Sequence, residues 1–199
     1  FLALLVFDRL IRSSKYKGRY GENEVIKILK RLPKEYIVLN DFLLQNGNKT
    51  SQIDHIVLCK KGIFVIETKN YGGYIYGSEL DKNWTQIIGK RKIEFEFLNP
   101  IIQNKGHIDA IRHNLSLNNK IPIISVVVFS NNGNIANVNS HTPVKYISEL
   151  KSFILKYDTI VSLSESEIQD INYGLVEKNI KGKKARKQHM KNIQRRYAS

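Results

Sequence analysis

The sequence predicts a mixed α/β fold, a central mixed β-sheet with helices on either side, and three observations predict it. Short runs rich in valine, isoleucine and aromatic residues recur along the body of the chain. Between them lie segments whose apolar residues return at helical spacing. Glycine, asparagine or proline punctuates most junctions. Strand and helix signals mixed in this order fit a sheet covered by helices better than separate all-α and all-β parts.

The elements can be justified in order. "GENEVIKILKRLP" reads as a helix over residues 21–32, with Val25, Ile28, Leu29 and Leu32 at helical spacing and Pro33 as its stop. "EYIVLNDFLL" is a first strand, and "NGNKTS" supplies turn chemistry. "QIDHIVLCKKGIFVIETKN" reads as two strands around a Lys-Lys-Gly turn. "GGYIYGSE", "WTQII" and "KIEFEFL" are short further strands, the last with clean alternation. Asn99 caps a helix that has Pro100 at its first position. "IPIISVVVFS" is a strand buried on both faces, "VKYI" a short strand, and residues 149–157 a helix. Ser164 and Glu167 have capping-box spacing at the start of a last helix, which runs on toward the polar, Gly182-containing C-terminus.

At 199 residues and 42% hydrophobic, the chain can bury a core of ordinary domain size. Its organisation reads as an apolar and basic segment over 1–17, one domain over 18–160, and a C-terminal helix with a basic tail over 161–199. A single cysteine, Cys59, excludes an internal disulfide and a cysteine-based zinc cluster. That usage suits a reducing, cytoplasmic compartment. The formal charge of +14 lies at the two ends, because residues 21–177 are almost neutral. Basic composition alone is therefore no argument for nucleic acid, since such ends can screen phosphates or simply be solvated. "FLALLVF" at the start falls far short of the roughly 20 residues that span a bilayer. It reads either as the end of a transmembrane helix with a basic cytoplasmic flank, or as an amphipathic helix docking on the domain or a partner. Both readings face the body toward the cytoplasm, and the first anchors it at the inner face of the membrane.

The chemistry concentrates in Asp54, Glu67 and Lys69, three charges in or at the edges of apolar strands. Glu67 and Lys69 are two apart on one strand and point the same way. A two-residue or four-residue loop makes Asp54 and Glu67 cross-strand neighbours, about 4.5–5.5 Å apart at Cβ. A three-residue loop with a bulge at Gly62 separates them. Two adjacent carboxylates repel unless a cation or shared proton lies between them. A hard divalent ion such as Mg²⁺, or Mn²⁺ in its place, meets that need, with Lys69 beside a water or a phosphate. The plainer alternative is a salt-bridge cluster of the three residues. Glu22 in the first helix and Gln103 in the helix after Pro100 point to the same place. Each has a structural alternative, as a helix-dipole partner and a surface glutamine respectively.

Gly21-Glu22, Gln52-Ile53-Asp54-His55, Gly62-Ile63-Phe64-Val65-Ile66-Glu67-Thr68-Lys69, Asn99-Pro100 and Gln103 together resemble the NERD, or nuclease-related, domain family, grouped with the PD-(D/E)XK nucleases. The resemblance covers about residues 18–115. It departs from the superfamily pattern at Ile53, where proline is usual. It implies a restriction-endonuclease-like core, with Asp54 and Glu67 as metal ligands and Lys69 in water activation or transition-state charge. It also makes Glu22 an accessory acid and Gln103 a site residue. The expectation is a metal-dependent nuclease hydrolysing phosphodiester bonds, with DNA as partner. The rival readings are a non-catalytic nucleic-acid-binding or scaffold module, and a membrane-anchored interaction protein working through its basic ends.

Other residues are set aside. His107 and His113 are six apart on one helix, so they do not share a face and form no zinc pair. His55 faces away from Asp54 along the strand. Tyr71, Tyr74 and Tyr76 could stack on bases but are read as packing, and Trp84 as core or groove wall.

Overall fold

The computed structural model describes residues 18–117 and 120–197. The segment 1–17, expected to be the end of a membrane helix or a docking helix, lies outside the described residues. Among the described residues, no helix is long and apolar enough to cross a membrane.

Helix α1 covers residues 18–29, starting earlier than its sequence pattern suggests, and buries Val25 and Leu29. There follow β1 (Ile37–Asn46), β2 (Lys49–Cys59), β3 (Gly62–Lys69), β4 (Gly73–Ser78), β5 (Asn83–Ile88) and β6 (Ile93–Leu98). Next come α2 (Pro100–Leu115), β7 (Ile123–Phe129), β8 (Gly133–Asn139) and β9 (Val144–Tyr146). A 3₁₀ turn at Ile147–Glu149 leads into α3 (Leu150–Lys156), and α4 (Glu165–Lys178) and α5 (Lys183–Tyr197) close the chain. The mixed α/β architecture is as expected, but its strands are divided between two sheets. Their orders are β1-β2-β3-β7-β9 and β6-β5-β4-β8. Both are mixed, since β7/β9 and β4/β8 are parallel and the hairpin pairs antiparallel.

The chain folds into two compact units, and it passes from one to the other after Leu32, within β3, α2 and β7, and after Lys156. The unit made of residues 33–66, 103–125 and 157 onward has its core between β1–β3, α2 and α4. Ile53, Ile56, Leu58, Ile63 and Val65 pack there with Ala110 and Ile111 of α2 and with Ile168, Ile171 and Leu175 of α4. Helix α4 begins where its capping box predicts: the Ser164 hydroxyl accepts from the Glu167 N–H and the Glu167 carboxylate accepts from the Ser164 N–H at 2.7 Å. It does not continue to the C-terminus. Residues 179–182 interrupt it, with Gly182 at φ 137, and α5 starts afresh.

The other unit, residues 18–32, 67–102 and 126–156, is built around the second sheet. Trp84 is fully buried, stacked on Phe129 at 6.2 Å between centroids, with its indole N–H donating to the Ser78 carbonyl at 2.8 Å. Of the two roles expected of it, core or groove wall, this is the core. Gly77 lies under that ring, where an added Cβ would come within 2.3 Å of it. Gly73, at φ 79, lets β4 leave the direction of β3, and an added Cβ would meet the Ile87 carbonyl at 2.2 Å. Val126 to Phe129 of β7 are all buried, as its β-branched run implies. The alternation of β6 does not become burial, because β6 is an edge strand and Ile93 and Phe95 stay about half exposed.

Candidate functional site

The β2–β3 hairpin settles the loop question left open by the sequence. Cys59 pairs with Gly62, so the loop is the two residues Lys60 and Lys61, and the ladder continues without a shift to His55 opposite Ile66. Gly62 adopts φ 124 against the Pro122 carbonyl, which a Cβ would approach to 2.5 Å, and Pro122 O accepts the Ile63 N–H at 3.0 Å. Asp54 is the residue before His55, and Glu67 is the residue after Ile66. They are the next positions at the open end of the ladder.

Burial along β2 separates two faces: Ser51, Ile53 and His55 are buried, whereas Gln52 and Asp54 are half-buried. His55 Nδ1 lies 2.8 Å from Asn40 Oδ1, its cross-strand partner on β1. It is a packed histidine on the face opposite Asp54, as anticipated.

Glu67 is 1% exposed, and Lys69 Nζ donates to its Oε1 at 2.7 Å. The two side chains are 2% and 13% exposed. A carboxylate so far from water is expensive unless compensated, and the ammonium two residues along supplies compensation. The pair therefore realises part of the salt-bridge alternative. Its strand end is pinned where the Ser130 N–H donates to the Lys69 carbonyl at 2.9 Å.

Helix α1 meets that strand end through a glycine. A Cβ at Gly21 would lie 2.7 Å from Asn70 Cβ and 3.4 Å from Thr68 Cγ2. Glycine inside a helix costs about 1 kcal/mol against alanine, and the close approach is its reason here. Glu22, the next residue, is half-buried in the second turn of α1 rather than the first.

Asn99 is fully buried, and its Oδ1 accepts the Ile101 N–H at 2.9 Å, the cap predicted for α2. Its Nδ2 also donates to the carbonyls of Ser78, Glu79 and Asp81. Gln103 lies one turn into the helix and is half-buried. Behind it is a buried polar stripe that the sequence reading missed. Asn104 Nδ2 donates to the Val65 carbonyl at 2.8 Å and to Ser125 Oγ at 2.9 Å, and His107 Nδ1 lies 2.6 Å from Ser51 Oγ. The only signal available was their helical spacing with Ala110 and Ile111. His107 is buried and His113 exposed, so the two form no pair.

Among the described residues, no group of three or more His, Cys, Asp or Glu side chains gathers to hold a metal ion. Burial pushes the Cys59 thiol up from its ordinary pKa, which keeps it in the unreactive form. Of the three tyrosines after β3, Tyr71 packs edge-on against Phe97 at 4.8 Å. Tyr74 and Tyr76 do not pack as expected. They stand 53% and 39% exposed on one face of β4.

The profile of the nuclease-related domain family matches residues 17–130, more than half of the chain. An uncharacterised protein of Bacillus anthracis is 39% identical over 189 residues, covering 92% of this chain and 87% of that protein. Among solved structures, the protein of unknown function AF1548 aligns over 90% of this chain and 99% of its own at 11% identity, with a TM-score of 0.37.

Proposed function

This chain belongs to the nuclease-related domain family, and from that premise we propose that it is a metal-dependent nuclease that hydrolyses phosphodiester bonds of DNA. The observation that carries the reading is the Glu67–Lys69 pair, a carboxylate 1% exposed with an ammonium at 2.7 Å. Glu67 directly follows Ile66, the last residue of β3 that pairs with β2.

In this reading Asp54 and Glu67 hold Mg²⁺ or Mn²⁺. The donor set fits: two carboxylates are hard oxygen ligands, and no thiolate or imidazole cluster competes among the described residues. Mg²⁺ ordinarily takes one or two carboxylates and completes its shell with water and phosphate oxygens. When bound, such a cation supplies Lewis-acid activation of water and offsets charge on the phosphate. Lys69 orients the attacking water and balances charge near the scissile phosphate; an ordinary amine is a poor base near neutral pH. In the same reading Glu22, the residue after Gly21 on α1, is an accessory acid, and Gln103 a polar contact to water or phosphate. Carrying a single cysteine, Cys59, which is buried, suits a cytoplasmic setting for this work.

One observation favours a second reading. Lys69 already offsets the charge of Glu67 without a metal, as expected of a nucleic-acid-binding or scaffold module that keeps the fold without cleaving. The two separate on incubation with plasmid, linear duplex, single-stranded DNA and RNA in Mg²⁺, Mn²⁺ or EDTA. Glu67→Ala and Lys69→Ala proteins run alongside. Metal-dependent cleavage lost in both variants supports the nuclease; nucleic-acid binding without cleavage supports the module.

A further inference from the structure

We infer that the outward lysine face of α5 is a contact surface for the backbone of nucleic acid, held on the strand pair that carries Asp54. The inference rests on the nuclease reading for its place in catalysis. The surface itself rests on how α5 is built and anchored.

Helix α5 contains Lys183, Lys184, Arg186, Lys187, Lys191, Arg195 and Arg196 and no acidic residue. Lys183, Lys187 and Lys191 recur every four residues, and all three are exposed. With 1.5 Å of rise per residue they form a stripe about 12 Å long, the span of roughly three to four nucleotides of one DNA strand. Like charges at this spacing repel, and Lys183 and Lys184 add positive charge at the positive end of the helix dipole. Helix α4, by contrast, opens with Glu165 and Glu167. A helix assembled against these preferences is relieved by a polyanion. The exposed face, Lys183, Lys184, Lys187, Gln188 and Lys191, carries no apolar side chain.

The stripe is fixed in place. His189, 7% exposed, has Nδ1 at 2.7 Å from Thr50 Oγ1 of β2. The Arg186 guanidinium pairs with the Asp41 carboxylate, and its Nη2 donates to the Asp41 carbonyl at 2.8 Å. The segment before α5 is tied to β1 at Leu43: Asn179 Oδ1 accepts the Leu43 N–H at 3.1 Å, and the Ile180 N–H donates to the Leu43 carbonyl at 2.8 Å. Asp41, at φ 57, lies on β1 between Asn40, paired with His55, and Phe42, paired with Ile53. In that register it is the position across from Asp54. The anchor of the basic helix and the proposed ligand thus share one stretch of the β1–β2 pair.

The test is binding of the full chain to a labelled DNA duplex in EDTA, where no cleavage intervenes, over 50–200 mM salt. The triple variant Lys183→Gln/Lys187→Gln/Lys191→Gln keeps good helix formers. It should reduce the slope of log K against log salt by about 2.7, so that wild type loses about 40-fold more affinity over that range. The triple Lys→Arg variant should keep the wild-type slope. Lys90→Gln/Arg91→Gln/Lys92→Gln, which removes the same charge from the β5–β6 turn, should change the slope by less than one. An equal drop in both Gln triples, no drop in the α5 triple, or no binding by wild type overturns the inference. So does an unchanged duplex slope with loss of binding to phosphatidylserine vesicles, which would make the surface a membrane contact. A slope drop without any metal-dependent cleavage leaves the surface standing and removes the nuclease reading.

Discussion

Replacing Lys69 by methionine should destabilise the protein far more than a salt-bridge count suggests, and the reason is burial. Two ion pairs in the structure have the same 2.7 Å separation. Lys27–Glu24 is a pair on α1 with side chains 66% and 38% exposed, whereas in Lys69–Glu67 they are 13% and 2% exposed. Exposed helix pairs of this kind are worth about 0.3–0.5 kcal/mol. Removing one partner of a buried pair costs roughly 3–5 kcal/mol, because the remaining charge keeps its desolvation penalty. Lys69→Met should therefore lower unfolding free energy by about 3 kcal/mol or more at neutral pH in EDTA, and Lys27→Met should leave it almost unchanged. Adding Glu67→Gln to Lys69→Met should return at least about 1 kcal/mol, since the buried charge is then gone. Urea unfolding followed by circular dichroism reads all four proteins. If Lys69→Met costs less than about 1 kcal/mol, or the double variant is no better than the single, the burial reasoning is refuted.

Three other outcomes follow from the same geometry. Gly21→Ala gains about 1 kcal/mol of helix propensity but forces a Cβ to within 2.7 Å of Asn70 Cβ. Overpacking of that kind costs about 1–3 kcal/mol, so net stability should fall slightly while cleavage falls tenfold or more, since small misplacements act strongly on rate; rate and melting temperature measured together check it. The Glu79 carboxylate accepts from the Thr142 hydroxyl and N–H and from the His141 N–H, and the Thr142 hydroxyl bond leads in holding its pKa below the ordinary 4.5. A depressed folded pKa gives stability that is present above the ordinary value and lost as pH falls through the depressed one. Glu79→Gln should therefore melt below wild type at pH 7, and the gap should close as the pH drops below 4.5. Cys59, 2% exposed with its thiol pushed up, should resist a disulfide reagent for as long as the protein is folded and react fully in urea.

Local chemistry made much of the fold legible. The capping box at Ser164 and the Asn99–Pro100 start of α2 each depend on a few adjacent residues, and each stands as the pattern implies, whereas the length of the loop at Lys60–Lys61 stayed open until the Cys59–Gly62 pairing fixed it. Long-range pairing was harder to read. Strand β8, with sequence Gly-Asn-Ile-Ala-Asn-Val-Asn, has poor intrinsic preference for a sheet and exists through parallel pairing with β4. The division into two sheets likewise depends on which strand pairs with which, and the break before α5 on contacts at Leu43, Asp41 and Thr50. In the candidate site, Asp54, Glu67 and Lys69 announced themselves as charges in apolar strands. Asn104 and His107 did not, because polar residues on a helix ordinarily face water, and only the packed fold turns these two onto Val65, Ser125 and Ser51.

The central claim is that Asp54 and Glu67 act as one metal-holding unit in phosphodiester cleavage. The most direct measurement is the Mn²⁺-dependent cleavage rate of a labelled DNA duplex by wild type, Asp54→Asn, Glu67→Gln and the double variant, each shown to be folded. Residues that act as a unit are strongly non-additive, so each single variant should abolish cleavage and the double should be no worse than either. Cleavage that persists in the double variant, or that wild type shows equally in EDTA, would contradict the account.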